Sequence, residues 1–239
     1  MTSAAATRPS LDALDAAIVD LDGTMVDTLG DFVAALNGML DDLGLPQVTP
    51  SVVETRVGKG SEHLIRAVLQ HVQAPTDEAL YDRAWTRYQH HYLAINGRHS
   101  LLYAGVAEGL QGLTARGLRL ACLTNKPRDF ARPLLEAKGL AGYFDHVFGG
   151  DDFERKKPDP LPLLKTCEAL GTVPARTLMI GDSSNDARAA RAAGCPVVLV
   201  TYGYNHGEPV RAVDADGFIG SFGELGARLE SGLAGPARR

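Results

Sequence analysis

Short, unbroken apolar runs recur along the chain, and each run ends in polar residues. Four of them are clear, at 16–19, 118–123, 178–180 and 196–200. Apolar residues at helical spacing lie between them, for example at 130–138 and 161–170. Continuous apolar runs that alternate with helices are typical of a parallel sheet covered on both faces. The pattern therefore predicts an α/β protein whose polar clusters follow the carboxyl ends of the strands.

The alternation of strands and helices stops between residues 28 and 98. Apolar residues at helical spacing first end there at Gly44, which indicates a helix stop. Ser61 is predicted to cap a second helix and Thr76 to open a third. The chain thus carries a small helical unit inserted just after the first strand. Because the insert starts close to Asp20, it is placed to close over that carboxylate.

Composition excludes several classes of function. The 239 residues are 45% hydrophobic and carry a formal net charge of −5, which argues against a basic nucleic-acid-binding surface. Three scattered cysteines, at 122, 167 and 195, are too few for a disulfide framework and fit small core residues. No stretch reads as a signal peptide or a membrane span. We expect a cytoplasmic protein, a monomer or homodimer, with neither a nucleic-acid nor a membrane partner.

Four polar clusters follow the predicted strands or lie near their ends, at 20–24, 124–126, 156–159 and 181–186. In an extended backbone residues i and i+2 share a face, so Asp20 and Asp22 point the same way. Gly23 allows a sharp turn and lets backbone N–H groups approach an anion. Each cluster alone is ordinary turn or helix-cap chemistry. Because parallel sheets bind ligands at the carboxyl ends of their strands, the clusters together predict one site.

These residues, taken in order, resemble the haloacid-dehalogenase-like hydrolase superfamily. The resemblance rests on Asp20-Leu21-Asp22-Gly23-Thr24 with Asp27, Thr124-Asn125, Lys157-Pro158, and Gly181-Asp182 with Asp186. It covers nearly the whole chain and implies a Rossmann-like parallel sheet core with a helical cap inserted after the first strand. The corresponding division is a core of residues 11–27 and 99–239 and a cap of residues 28–98.

The resemblance also implies a role for each matching residue. Asp20 is the nucleophile that takes the phosphoryl group of a small phosphorylated metabolite, and Asp22 is the general acid and then the general base. Mg²⁺ is held by Asp20, the backbone carbonyl of Asp22, and Asp182, with Asp186 in support. The phosphoryl oxygens are held by Thr124, Asn125 and Lys157. A cation is physically required because a carboxylate and a phosphate dianion repel each other, and ligation by oxygen alone favours Mg²⁺.

A narrower resemblance is to phosphoglycolate phosphatases. It rests on Gly58-Lys59-Gly60, Gly149-Gly150-Asp151-Asp152 and the segment 202–207. Phosphoglycolate carries a carboxylate beyond its phosphate, so the cap should offer a cation. We expect Arg56 or Lys59 to bind this end of the substrate, with Lys59 favoured; His63 and Arg66 are further candidates or simply a solvated helix face. The segment 201–207 either faces the substrate or is an ordinary loop.

Several alternatives remain open within this fold. Relatives that act on sugar phosphates or phosphorylated amino sugars share parts of the same motifs. A phosphonate hydrolase would use a cap lysine such as Lys59 to form an imine, and a phosphomutase would return the phosphoryl group rather than release it. A dehalogenase has no use for an acid such as Asp22. Outside the hydrolases, a signalling domain phosphorylated on Asp20 would lack both the helical insert and the second carboxylate.

Overall fold

The computed structural model describes residues 14–75 and 77–230, excepting the side chains of 228–230. Its strands are β1 (Ala16–Val19), β2 (Val26–Asp27), β3 (Leu101–Leu102), β4 (Arg119–Leu123), β5 (His146–Phe148), β6 (Thr177–Gly181), β7 (Val197–Val200) and β8 (Gly217–Ile219). Six of these form one sheet in the order β5-β4-β1-β6-β7-β8, and every neighbouring pair in it is parallel. The predicted α/β class and parallel sheet are confirmed.

The helices are α1 (Leu29–Asp42), α2 (Pro50–Glu54), α3 (Ser61–His71), α4 (Glu78–Ile95), α5 (Val106–Ala115), α6 (Arg128–Ala137), α7 (Leu161–Ala169), α8 (Ser184–Ala193) and α9 (Leu225–Glu230). On one face of the sheet, Ala17 and Val19 of β1 share a buried cluster with α5 and α6. On the other face, Ala16 and Ile18 pack in a cluster with α7 and α8. Strand β1 is buried on both faces, which explains why its sequence is apolar without alternation.

The strand register brings the polar clusters to one edge of the sheet. Val19, the last residue of β1, lies opposite Cys122 of β4 on one side and Ile180 of β6 on the other. All three strands run the same way, so the residues just beyond their carboxyl ends meet. Asp20 therefore lies between the segments that begin at Thr124 and Asp182.

The four helices α1 to α4 pack around a second buried cluster, to which Phe130 of α6 and Tyr204 also belong. Strands β2 and β3, which pair antiparallel, flank this helical insert and connect it to the sheet. The sequence did not predict these two strands, since a two-residue strand leaves no recognisable pattern. The division of the chain at residues 28 and 98 stays a prediction, and residues 11–13 and 231–239 lie outside the described part.

Two predicted helix starts need comment. Ser61 is not the cap of α3: Gly60 occupies that position with φ of 90°, and Ser61 is the first helical residue. A glycine takes this backbone conformation without a steric penalty, which lets the helix begin at Ser61, one residue earlier than predicted. Thr76 lies outside the described residues; α4 is capped by Asp77, whose carboxylate accepts the Leu80 N–H at 2.7 Å.

Cys122, Cys167 and Cys195 are buried free thiols, as expected of small core residues. Among the helices of the described residues, none is both long enough and apolar enough to cross a membrane.

Candidate active site

The site begins where β1 ends. The Asp20 N–H donates to the Ile180 carbonyl at 2.9 Å, which continues the ladder one residue beyond the strand. The chain then turns at Gly23, whose φ is 80°. A side chain at Gly23 would overlap the Asp182 carboxylate and the ring of Tyr204. A glycine is required here because the backbone turns with a positive φ and because the Asp182 carboxylate leaves no room for a side chain.

Three buried carboxylates converge at this edge of the sheet. Oxygen atoms of Asp20, Asp182 and Asp186 all lie within 4.8 Å of one another. Asp186 is in the first turn of α8, where it forms a capping box with Ser183. Its Oδ2 accepts the Ser183 hydroxyl at 2.8 Å and the Ser183 N–H at 3.1 Å. Asp186 is thus held by its own helix terminus, whereas Asp20 and Asp182 reach the cluster from two strand ends.

Lys157 is the cation within this cluster. Its Nζ lies 2.9 Å from Asp20 Oδ1 and 2.7 Å from Asp186 Oδ1, and it donates to the Leu123 carbonyl at 2.8 Å. One ammonium group faces three carboxylates, so a net negative charge is left in a buried place. Buried charge is costly unless it is paired. The donor set is all oxygen and rich in carboxylate, which fits a divalent cation such as Mg²⁺.

The electrostatics of the cluster reflect this imbalance. Burial raises the pKa of Asp20 from 3.8 to about 7; Lys157 opposes the rise and Asp186 adds to it. Burial, followed by the charges of Asp186 and Asp20, likewise raises the pKa of Asp182 well above its ordinary value. Burial works against the charge of Lys157, but Asp186 and Asp20 outweigh it and raise the pKa of its ammonium. A divalent cation would relieve the same repulsion.

A small, partly open cavity lies between this cluster and the cap. From the core it is lined by Asp20, Asp22, Thr124, Asn125 and Lys126, and from the cap by Phe32, Val57, Gly58, Gly60, Ser61 and Leu64. The core side is charged, whereas Ser61 is the one polar side chain among the described cap residues that line it.

Lys126 connects the two sides of the cavity. Its side chain is 1% exposed, and its Nζ donates to Asp22 Oδ1 at 2.8 Å. The same ammonium lies 4.3 Å from the ring centre of Phe32 and 4.8 Å from that of Tyr92, both in the cap. Aromatic faces attract cations, and more strongly where water is excluded. Part of the environment of this core lysine is therefore built by the cap.

The profile of the family described as haloacid dehalogenase-like hydrolase matches residues 17–200, which include the strand ends that carry the acidic cluster. The chain belongs to the haloacid dehalogenase-like hydrolase family. The membership predicted from the sequence is confirmed.

Individual relatives within this family show a more specific similarity than the family as a whole. The phosphoglycolate phosphatase of Thiobacillus denitrificans is 45% identical over 212 residues, which cover 88% of this chain and 93% of the relative. That of Nitrosospira multiformis is 43% identical over 212 residues, with the same shares covered. A crystal structure from Haemophilus somnus, described as a predicted phosphoglycolate phosphatase, has a TM-score of 0.85 at 33% identity and covers 89% of this chain and 96% of its own. The predicted likeness to phosphoglycolate phosphatases is confirmed.

Of the predicted phosphoryl-binding residues of this hydrolase, Thr124 and Asn125 both line the cavity. The Asn125 amide is already engaged, because its Oδ1 accepts the Lys157 N–H at 3.0 Å and its Nδ2 donates to the Lys157 carbonyl at 2.8 Å. Its Nδ2 also donates to the Gly58 carbonyl of the cap at 3.0 Å. In this geometry Asn125 holds Lys157 and the cap loop in place, and its contact with substrate stays a prediction.

The structure does not bring the predicted cap cations to the cavity. Lys59 is exposed, and it is not among the residues that line the cavity. The Arg56 Nη1 donates to the Val52 carbonyl at 2.6 Å and to the Thr55 hydroxyl at 3.0 Å. Arg66 pairs with Glu78 at 2.9 Å on the surface. Binding of the substrate by Arg56 or Lys59 stays a prediction without support from these contacts.

Lys126, the cation that does line the cavity, was not predicted as a site residue. Lys126 directly follows Thr124 and Asn125 in the sequence. That cluster was interpreted through its hydroxyl and amide groups, so no function was predicted for the charge of Lys126. The available signal was a lysine immediately beyond a buried strand end, which faces the cavity rather than the solvent only if the chain turns there. That turn depends on contacts with the Gly149–Asp152 segment, such as the Gly150 N–H donating to the Lys126 carbonyl at 2.8 Å.

Proposed function

We propose that this protein is a Mg²⁺-dependent phosphatase that hydrolyses a small phosphomonoester, 2-phosphoglycolate being the best candidate, to glycolate and phosphate. The observation that carries the proposal is the buried cluster of Asp20, Asp182 and Asp186 around Lys157, next to a cavity that also exposes Asp22. The names of the relatives support the same reaction. The proposed location is the cytoplasm, and a monomer or homodimer remains the expected state.

In the proposed mechanism an oxygen of Asp20 attacks phosphorus, and the bond from phosphorus to the ester oxygen breaks. Asp22 delivers a proton to the leaving alkoxide. Water then attacks the phosphoryl group on Asp20, Asp22 takes the proton of that water, and the bond from phosphorus to the Asp20 oxygen breaks, which releases phosphate and restores the carboxylate. Lys157 and Thr124 face the charge that develops on the phosphoryl oxygens. Asp20, Asp182 and the backbone carbonyl of Asp22 would hold Mg²⁺, which would neutralise charge between the nucleophile and the phosphate.

We call the boundary where Lys126 contacts Asp22 of the core and the rings of Phe32 and Tyr92 of the cap the seam. The seam favours a substrate with an anionic tail, that is, a negative charge beyond its phosphate. Asp22 must be close to the leaving oxygen, so the rest of the substrate lies near Lys126, which is 2.8 Å from Asp22. A carboxylate on the tail would pair with this ammonium and release Asp22 for proton transfer. A sugar would meet Phe32, Val57 and Leu64, which offer no hydrogen bonds to its hydroxyl groups. The exposed position of Lys59 gives no support to the imine chemistry of a phosphonate hydrolase.

A phosphate-release assay tests this function. We expect release from 2-phosphoglycolate with Mg²⁺, slower release from p-nitrophenyl phosphate, and at least about a tenfold lower kcat/KM for a hexose phosphate, since its buried hydroxyl groups stay unpaired. Exhaustive chelation should stop all three reactions, and added Mg²⁺ should restore them. Acid-quenched single turnovers should retain phosphate on the protein. Full activity after chelation, or a preference for the hexose phosphate, would contradict the proposal.

A further inference from the structure

The segment 201–207, which follows β7, contacts both the acidic cluster and the entry to the cap. Of the described residues that line the cavity, none comes from this segment. Its side chains and backbone instead reach Asp182, the residues after β2, and the cap loop at Gly58. The segment therefore contacts the acidic cluster, the start of the cap and the cap loop at once.

On the side of the core, the segment holds Asp182. The Tyr204 N–H donates to Asp182 Oδ2 at 2.8 Å, and this carboxylate is buried. Gly203 lies so close that a side chain there would overlap the Asp182 carboxylate. The direction of the Asp182 side chain is thus fixed by the backbone of its neighbour at Tyr204.

On the side of the cap, the hydroxyl of Tyr204 binds residues 27–29, which lead from β2 into α1 and which we call the cap hinge. It donates to Asp27 Oδ1 at 2.8 Å and accepts the Thr28 N–H at 2.8 Å and the Leu29 N–H at 3.1 Å. A phenol has one proton and two lone pairs, so its hydrogen-bonding capacity is filled. Thr28 provides no side-chain cap for α1, and the hydroxyl of Tyr204 takes that place.

The segment is held in an unusual shape. Asn205 and His206 have φ of 35° and 56°, in the left-handed region that residues other than glycine rarely adopt. Such conformations persist where the surroundings impose them. Here Asn205 Oδ1 accepts the Ser184 N–H at 2.8 Å, and Asn205 Nδ2 donates to the Glu208 carbonyl at 2.7 Å. The ring of His206 packs against Gly58 of the cap. Tyr204 is therefore presented from a firmly held turn.

We propose that Tyr204 is a positioning residue that links the binding of a divalent cation at Asp182 to the order of the cap hinge at 27–29. The proposal rests on the proposed function, because it takes Asp182 as a cation ligand. A cation fixes the Asp182 carboxylate, the carboxylate fixes the Tyr204 amide, and the phenol then holds the two hinge amides. The cap is most firmly set when the cation is present, which is when the nucleophile is ready.

Amide hydrogen exchange in Tyr204→Phe tests this link, because the variant loses the hydroxyl and keeps the ring and the backbone. In the wild-type protein Mg²⁺ should slow exchange at Thr28 and Leu29. In the variant these amides should exchange about tenfold faster without Mg²⁺, as expected for the loss of one or two hydrogen bonds. Mg²⁺ should no longer slow their exchange, although calorimetry should give an affinity close to that of the wild type.

Tyr202→Phe is the matched control. It removes a phenol from the same segment, one that donates to the Thr24 carbonyl at 2.8 Å, and should leave Thr28 and Leu29 unchanged. If Tyr204→Phe does not fold, Asp27→Asn weakens the same group of hydrogen bonds from the hinge. Equal Mg²⁺ protection in Tyr204→Phe and the wild type would overturn the link while Mg²⁺ binding and hydrolysis stood. A wild-type protein that bound no Mg²⁺ would instead overturn the proposed function.

Discussion

The two sides of the cavity offer a ligand different things. The core side presents the carboxylates of Asp20 and Asp22 at the end of β1 and the ammonium group of Lys126 at the end of β4. The cap side presents apolar side chains, the backbone of two glycines and the hydroxyl of Ser61. Charge of this kind serves any phosphate ester, whereas the apolar wall limits size and excludes water. We therefore propose that the core side carries out the chemistry and that the seam, where Lys126 lies beside the rings of Phe32 and Tyr92, selects the substrate.

Asp20→Asn should have the largest effect, and it tests whether the core side of the cavity alone carries the chemistry. If the core side alone carries the chemistry, kcat should fall by at least about a thousandfold for every substrate, as for other nucleophiles that act within a unit. The variant should also melt at a higher temperature than the wild type when both are free of metal at neutral to alkaline pH, because it removes a buried charge from the cluster. Steady-state kinetics and thermal unfolding measure the two effects.

Asp41→Asn, on the exposed surface of the cap, controls for the substitution itself, since the Asp41 carboxylate accepts hydrogen bonds from the exposed Gln47 side chain. Substantial turnover by Asp20→Asn would remove Asp20 from the role of nucleophile. A lower melting temperature would show that Asp20 stabilises the metal-free fold rather than straining it.

Lys126→Met sharpens the part of the comparison that concerns selection. Methionine keeps the packing against Phe32 and Tyr92 but loses the charge. We expect kcat/KM for 2-phosphoglycolate to fall about ten- to a hundredfold, which corresponds to the loss of one charge-assisted hydrogen bond. The loss for p-nitrophenyl phosphate, which lacks a carboxylate, should be much smaller. Steady-state kinetics on both substrates measure the difference.

Lys59→Met tests whether Lys59, rather than Lys126, binds the carboxylate of the substrate. Lys165→Met removes a surface lysine paired with Glu168 and controls for the loss of charge. A selective loss in Lys59→Met with none in Lys126→Met would return the role to the cap loop. An equal loss on both substrates in Lys126→Met would mean that this lysine serves Asp22 and not the tail of the substrate.

The core was largely predictable from the sequence and the seam was not. Residues 16–19 are apolar without interruption because both faces of β1 are covered, so the strand and the acids after it could be found together. The edge strands β5 and β8 were missed because they have only three residues each and are partly exposed. Lys126 and Tyr204 owe their positions to contacts across the chain, such as Tyr204 with Asp27, which are 177 residues apart. No local pattern records such a contact.

The smallest expected effect concerns pH, and it tests whether the core cluster is built for a cation. Burial raises the pKa of Asp20 from 3.8 to about 7, so the folded, metal-free protein binds more protons than the unfolded chain between these values. Its free energy of unfolding should therefore fall as pH rises through that interval. Mg²⁺ competes with this proton and with the proton on Asp182, whose pKa burial also raises, so its affinity should rise as pH rises. Thermal unfolding with and without Mg²⁺ should accordingly show a small stabilisation at about pH 5.5 and the largest at about pH 8. In Asp20→Asn this pH dependence should be much reduced. A stabilisation by Mg²⁺ of the same size at both pH values would mean that the cation binds away from Asp20. The proposal that the charged side of the cavity is a cation site would then be wrong.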